Sequence, residues 1–150
     1  MRFSIISCFL LVLLILILIL SACQPSAQTP TAALVVEDAW VRAMPPGRKM
    51  TAAYGVFRNS GAVVLRINDF SSPQYASVSL HETIVDSSGM SRMQEIQELL
   101  IPPGELFVLE PGSKHLMLMG KHNNPAEEKT NSVTIVFSLE KPRRIEFRVK

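Results

Sequence analysis

The chain has 150 residues, 15 of them basic and 13 acidic, a formal net charge of +2, and a hydrophobic fraction of 47%. That length accommodates one domain around a single core, and a charge balance so near neutrality excludes the basic surface that nucleic-acid binding requires. Only two cysteines occur, Cys8 and Cys23, too few for the disulfide framework of a small cysteine-stapled domain.

Much of the apolar content sits at the N-terminus, where Met1-Arg2 is followed by an uncharged run from Phe3 to Leu20 and then by Leu20-Ser21-Ala22-Cys23. A short basic start, an apolar stretch and small residues before a cleavage position read as a signal peptide over residues 1–22. The Leu-Ser-Ala-Cys string resembles the lipobox of bacterial lipoproteins, which implies a lipidated Cys23 and a membrane-anchored protein of the periplasm or cell envelope. An uncleaved anchor is the alternative, the run being close to the shortest that spans a bilayer; either way the remainder is exported. Processing removes Arg2, which lowers the net charge from +2 to +1, and consumes Cys23 as a thioether, so the mature domain has no thiol and no disulfide. Residues 23–33, the cysteine followed by polar, proline-bearing Gln24 to Ala33, are expected to form a flexible tether. Ten such residues reach roughly 18 Å.

From residue 34 to residue 150 the pattern predicts a single all-β domain. Val63, Leu65 and Ile67 alternate with polar or outward positions, as do Val78, Leu80 and Ile84, then Val133, Ile135 and Phe137, then Ile145, Phe147 and Val149. Period two marks half-buried strands. Asn59-Ser60-Gly61, Ser87-Ser88-Gly89, Pro102-Pro103-Gly104, Pro111-Gly112 and Asn123-Asn124-Pro125 punctuate them as turns. Short strands at this spacing imply a β-sandwich or barrel, mostly antiparallel. Met93 to Leu100 has helix-forming residues, but Gly89 and Pro102-Pro103 confine it to the length of a strand. The basic residues Lys141, Arg143, Arg144, Arg148 and Lys150 read as the solvated face of a final strand.

Chemistry concentrates in histidine and methionine. In His115-Leu116-Met117-Leu118-Met119, strand alternation sends the leucines to the core and puts His115, Met117 and Met119 on the opposite face. Between Tyr75 and Val85, His81 falls in the polar phase with Ser77, Ser79 and Thr83. The turn at residues 87–89 folds the chain back toward it, so that Met90 or Met93 can approach; period alone does not choose between them. Thioether and imidazole donors suit Cu(I) better than zinc, whose structural sites take thiolate, imidazole and carboxylate. The competing reading is that methionines fill core space, and it is the one adopted for Met44, Met50, Met90 and His122, with Met119 open because it shares the face of His115. With no cysteine left after processing, a thiolate-bound electron-transfer copper site is excluded. No nucleophile and base are placed for a triad, so the chain is not read as an enzyme.

The order His81, Met93, His115, Met117, with eleven, twenty-one and one intervening residues, resembles the H(M)x10Mx21HxM signature of the periplasmic PCuAC copper chaperones. Glu37-Asp38-Ala39-Trp40-Val41-Arg42, Thr51-Ala52-Ala53-Tyr54 and Leu80-His81-Glu82-Thr83 extend the resemblance over the exported domain. It implies a cupredoxin-like β-sandwich with an exposed Cu(I) site at those four residues, and it selects Met93 over Met90. It also implies delivery of copper to the dinuclear centre of cytochrome c oxidase, with an oxidase subunit or a Sco-type protein as partner. The optional methionine after the first histidine is Glu82 here. A copper buffer and a metal-free adhesion or scaffold lipoprotein are the alternative functions.

Overall fold

The computed structural model describes residues 33–122 and 131–150; the leader, Cys23, the tether as far as residue 32 and the turn at Asn123-Asn124-Pro125 lie outside the described residues. Eleven strands occur among these: β1 (Leu34–Val41), β2 (Met50–Asn59), β3 (Leu65–Ile67), β4 (Phe70–Ser72), β5 (Tyr75–Val85), β6 (Ser91–Glu95), β7 (Leu99–Ile101), β8 (Leu106–Leu109), β9 (Lys114–Lys121), β10 (Ser132–Phe137) and β11 (Arg143–Val149). The described residues contain no helix.

Strand pairing runs β1-β11-β10-β4-β5-β9-β2, and β2 pairs β1 again, which closes the ring. A closed ring leaves its members no free edge for aggregation. All pairings are antiparallel except β1 with β11. β6 hangs from β5 and β8 from β2, outside the ring.

The alternating apolar residues meet inside. Phe137 packs edge-on against Phe57 at 5.5 Å and Phe70 at 5.7 Å and stacks with Phe147 at 6.4 Å, centroid to centroid. Leu65, Ile67, Leu99 and Ile101 of the separate β3–β7 pair are fully buried in the same core. Asn59 fastens this pair to β2: its Nδ2 donates to the carbonyls of Val63 (2.7 Å) and Ile101 (2.9 Å), and its Oδ1 accepts from the Gly61 amide at 3.0 Å.

Two expectations change. Val63 does not share the buried face of Leu65 and Ile67; it precedes the strand and is 39% exposed. The Asn59 side chain captures the Val63 carbonyl, so that this stretch bends instead of extending the ladder. The segment from Met93 to Leu100 is extended, as its flanks require, but divides between two sheets. β6 pairs β5 and β7 pairs β3, the chain leaving the first sheet after the Ile96 amide bonds the Leu80 carbonyl at 2.8 Å.

Candidate metal centre

β5 and β9 lie side by side in a register that sets His81 directly opposite His115, Ser79 opposite Met117 and Leu80 opposite Leu116. Leu80, Leu116 and Leu118 are buried in the core, so both histidines and Met117 occupy the outer face. Across the next ladder β6 places Met93 opposite Thr83 and Glu95 opposite His81. Met93 therefore shares the face of His81 one step along the hairpin. Met90 does not: it closes the turn opposite Asp86, accepting from the Asp86 amide at 3.0 Å, and belongs to the other phase.

The two imidazoles are 6.1 Å apart between ring centroids at an interplanar angle of 64°. Directly paired residues have Cβ atoms about 4.5–5.5 Å apart, close enough for both rings to reach one ion. The resemblance implies an exposed site, yet His115 is only 7% exposed. The Tyr54 ring covers it at 6.4 Å. His115 Nδ1 lies 3.1 Å from the Ser113 carbonyl; an Nδ1–H donating there leaves Nε2 with its lone pair available. His81 Nδ1 is buried with no hydrogen-bond partner. Burial holds the His81 pKa below the ordinary imidazole value, the neighbouring His115 lowers it further, and Glu95 opposes both. The shift favours the neutral ring, the form that can donate to a metal.

Met93, His115 and Met117 line an open groove of about 460 Å³, whose other walls include Arg42, Arg48, Met50 and Tyr54. His81 is not among the lining residues. Met93 is 60% exposed. Glu82, one residue from His81, projects to the opposite face and pairs with Lys114, Oε1 to Nζ 3.0 Å. The substitution of glutamate for the optional methionine thus leaves this face unaltered. His122 is exposed and donates its amide to the Gln74 carbonyl at 2.9 Å, away from the two paired histidines. Among the described residues no three His, Cys, Asp or Glu side chains come together as a metal cluster, so any metal held here depends on thioethers.

Residues that ligand chemistry alone passes over build the wall beside His115. Trp40 packs against Tyr54 at 4.5 Å with the rings tilted by 37°, Arg42 lies over Tyr54 at 5.6 Å and Lys150 over Trp40 at 5.8 Å. A bulge in β1 produces this arrangement. Glu37 pairs with Val56, yet Trp40 pairs with Tyr54, so one extra residue has entered β1, with Asp38 at φ 51°. The extra residue turns Trp40 onto the face of Tyr54, the re-aiming that bulges perform. Gly55 is where the bulge presses on β2: a Cβ there would lie 3.2 Å from the Glu37 carbonyl oxygen and 3.3 Å from Ala39 Cα. The sequence signal for this wall is its lone tryptophan and the Thr51-to-Tyr54 block, neither of which carries ligand chemistry.

Residues 34–149 match the family model described as "Putative lipoprotein LpqE-like". The chain belongs to the LpqE-like lipoprotein family. A curated relative in the same vein, "Putative lipoprotein Lxx21020" of Leifsonia xyli subsp. xyli, is 38% identical over 117 residues, which span 75% of this chain and 69% of that protein. Among solved structures, the copper-bound PCuAC domain from PmoF2 superimposes with a TM-score of 0.61 at 20% identity, covering 82% of this chain and 98% of that one. DR1885 from Deinococcus radiodurans in its apo form aligns at 27% identity and TM-score 0.55, over 85% of this chain and 87% of that one. Its CuI form gives 25% and 0.56, over 86% and 84%. This LpqE-like chain therefore has the cupredoxin-like all-β fold of PCuAC domains, as the resemblance implied.

Proposed function

We propose that this domain is an extracytoplasmic Cu(I) metallochaperone that holds copper through His81, Met93, His115 and Met117 and passes it to the copper centre of a respiratory oxidase. The observation that carries the reading is the cross-strand His81–His115 pair with Met93 and Met117 on the same sheet face. A buried imidazole nitrogen without a partner, His81 Nδ1, is costly by about 1–3 kcal/mol, and a metal ion would satisfy it. None of the four donors is a carboxylate or thiolate, and Arg42 and Arg48 border the groove. A hard divalent cation gains little from such a set, whereas soft sulfur and imidazole favour Cu(I). The solved structure of DR1885 with CuI, at 25% identity, supports the same cargo.

The donors differ in mobility. His115 is buried and tied to Ser113, while Met93 stands on a strand paired on one side only. An incoming sulfur or imidazole from a partner displaces Met93 first, then Met117, and the histidines last. Copper remains Cu(I) throughout and is never free. An oxidase subunit or a Sco-type protein is the recipient, and lipidated Cys23 with its tether keeps the domain within reach of the membrane where that recipient resides. Membership of a lipoprotein family supports the anchor. Deletion of the gene under copper limitation tests delivery: loss of oxidase activity that added copper restores is expected, whereas sensitivity confined to copper excess would replace delivery by buffering.

A further inference from the structure

Two methionines outside the four-donor set are placed together by the sheet. Met50 on β2 is directly opposite Met119 on β9, and the next outward-facing pair is Ala52 with Met117. The Gly120 amide donates to the Lys49 carbonyl at 3.0 Å, which makes Lys49 and Gly120 a hydrogen-bonded pair. The adjoining Met50–Met119 pair is then of the other kind, with Cα atoms about 4.5 Å apart and side chains at their closest. Gly120, next to this pair, lets β9 lie close to β5 on its other side. Its φ is 67°, and a Cβ there would come within 2.9 Å of the Ala76 Cβ, so a side chain at this position would push β9 away from β5.

Three thioethers thus occupy neighbouring positions of one face: Met50, Met119 and Met117. Met50 is 51% exposed and lines the same groove as Met93 and Met117, which is an uneconomical use of an apolar side chain if its role is to fill space. Apart from Met50, the residues directly opposite Met117 and Met119 are Ala52, Ser77 and Ser79. None is acidic, so a hard divalent cation finds no carboxylate, while a soft monovalent ion finds three sulfurs.

We propose that Met50, Met117 and Met119 form a second, all-thioether station for a soft monovalent ion, Cu(I) or Ag(I), joined to the His/Met site through the shared Met117. The proposal rests on the four-donor reading only for that sharing. An ion moving between the two stations exchanges Met50 and Met119 for His81, His115 and Met93 without leaving Met117, and no electron is transferred.

The test is an anaerobic titration of the full-length chain, labelled with methyl-13C methionine, with tetrakis(acetonitrile)copper(I), following the methionine methyl resonances. Single Met→Leu variants assign them, a swap that nearly conserves volume and leaves the core untouched. The first molar equivalent is expected to shift Met93 and Met117, and the second to shift Met50 and Met119. The Met50→Leu/Met119→Leu variant should lose the second phase and keep the first. If the second equivalent left the Met50 and Met119 methyls in place, or moved Met44 and Met90 as far, there would be no second station. Failure of the first equivalent to move Met93 and Met117 would instead sink the four-donor reading, and the response of Met50 and Met119 would still decide this one.

Discussion

Two side chains, fully buried Asn59 and half-buried His81, treat their buried polar atoms in opposite ways. Asn59, beneath the β3–β7 pair, uses both donors of Nδ2 on backbone carbonyls and Oδ1 on a backbone amide. His81, on the outer face of β5, buries Nδ1 with no partner at all. Only one of the two is satisfied. Under the proposed function, the difference separates a polar group kept for architecture from one whose cost is carried for a bound ion. If that contrast is sound, changing Asn59 should cost stability and leave metal affinity alone, and changing the His/Met face should do the reverse.

The largest effect is expected from His115→Ala or Met117→Ala: Cu(I) affinity in a competition titration against a calibrated chelator should fall on the order of a hundredfold, about 2.8 kcal/mol, with little change in melting temperature for Met117→Ala. Unchanged affinity would remove these residues from the site. Asn59→Ala should follow, destabilising the domain by about 2 kcal/mol because it strands the buried Ile101 carbonyl and removes the bonds to the Val63 carbonyl and the Gly61 amide. Denaturant unfolding would register this, and the Cu(I) affinity of the folded fraction should stay as it was. A smaller effect is expected from pH. Because burial depresses the His81 pKa, the unfolded chain takes up its proton first. Stability from this group is present above the unfolded value of about 6.5 and is lost as pH falls through the lower folded value. Apo stability should therefore decline below about pH 6.5, and His81→Gln should flatten the decline; the same protonation weakens Cu(I) binding over that range. Least affected should be Glu82→Gln, which removes a partly exposed ion pair on the opposite face. It should cost at most about 1 kcal/mol and nothing in affinity; a tenfold loss would mean that residue 82 reaches the site after all.

Asn59 and His81 also differ in how far the order of amino acids reveals their roles. β5 and β9 are legible in the sequence because each has one core face and one polar face, and period two then fixes the placement of His81, His115 and Met117 relative to Leu80, Leu116 and Leu118. Nothing in the pattern around Asn59 says that its side chain will hold the β3–β7 pair, because Ile101 lies far along the chain. Alternation does not choose between Met90 and Met93, since a hairpin's register depends on its turn; here Asp86 and Met90 close the turn and set Thr83 against Met93. The break between β6 and β7 is invisible to it because both are extended and only their partners differ. The cover over His115 is hidden for a different reason. Trp40 reaches Tyr54 through a one-residue bulge, and a bulge leaves hardly any trace in a hydrophobic pattern. Closure of the ring by the parallel pairing of β1 with β11, Trp40 opposite Arg148, is a long-range contact that no local window contains.

That closure has a consequence for cooperativity. The seven ring strands support one another on both sides, so losing any of them opens the barrel. β6 contributes nothing to the circuit: it is bonded only to β5, and its five residues are all exposed. The segment carrying Met93 can therefore fray at a small fraction of the free energy of global unfolding, as peripheral units with few buried contacts do. Its amides should exchange with solvent well ahead of those in β5 or β9. One thioether of the face thus sits on a part of the molecule with its own local equilibrium, and the two histidines sit on a part that has none short of complete denaturation.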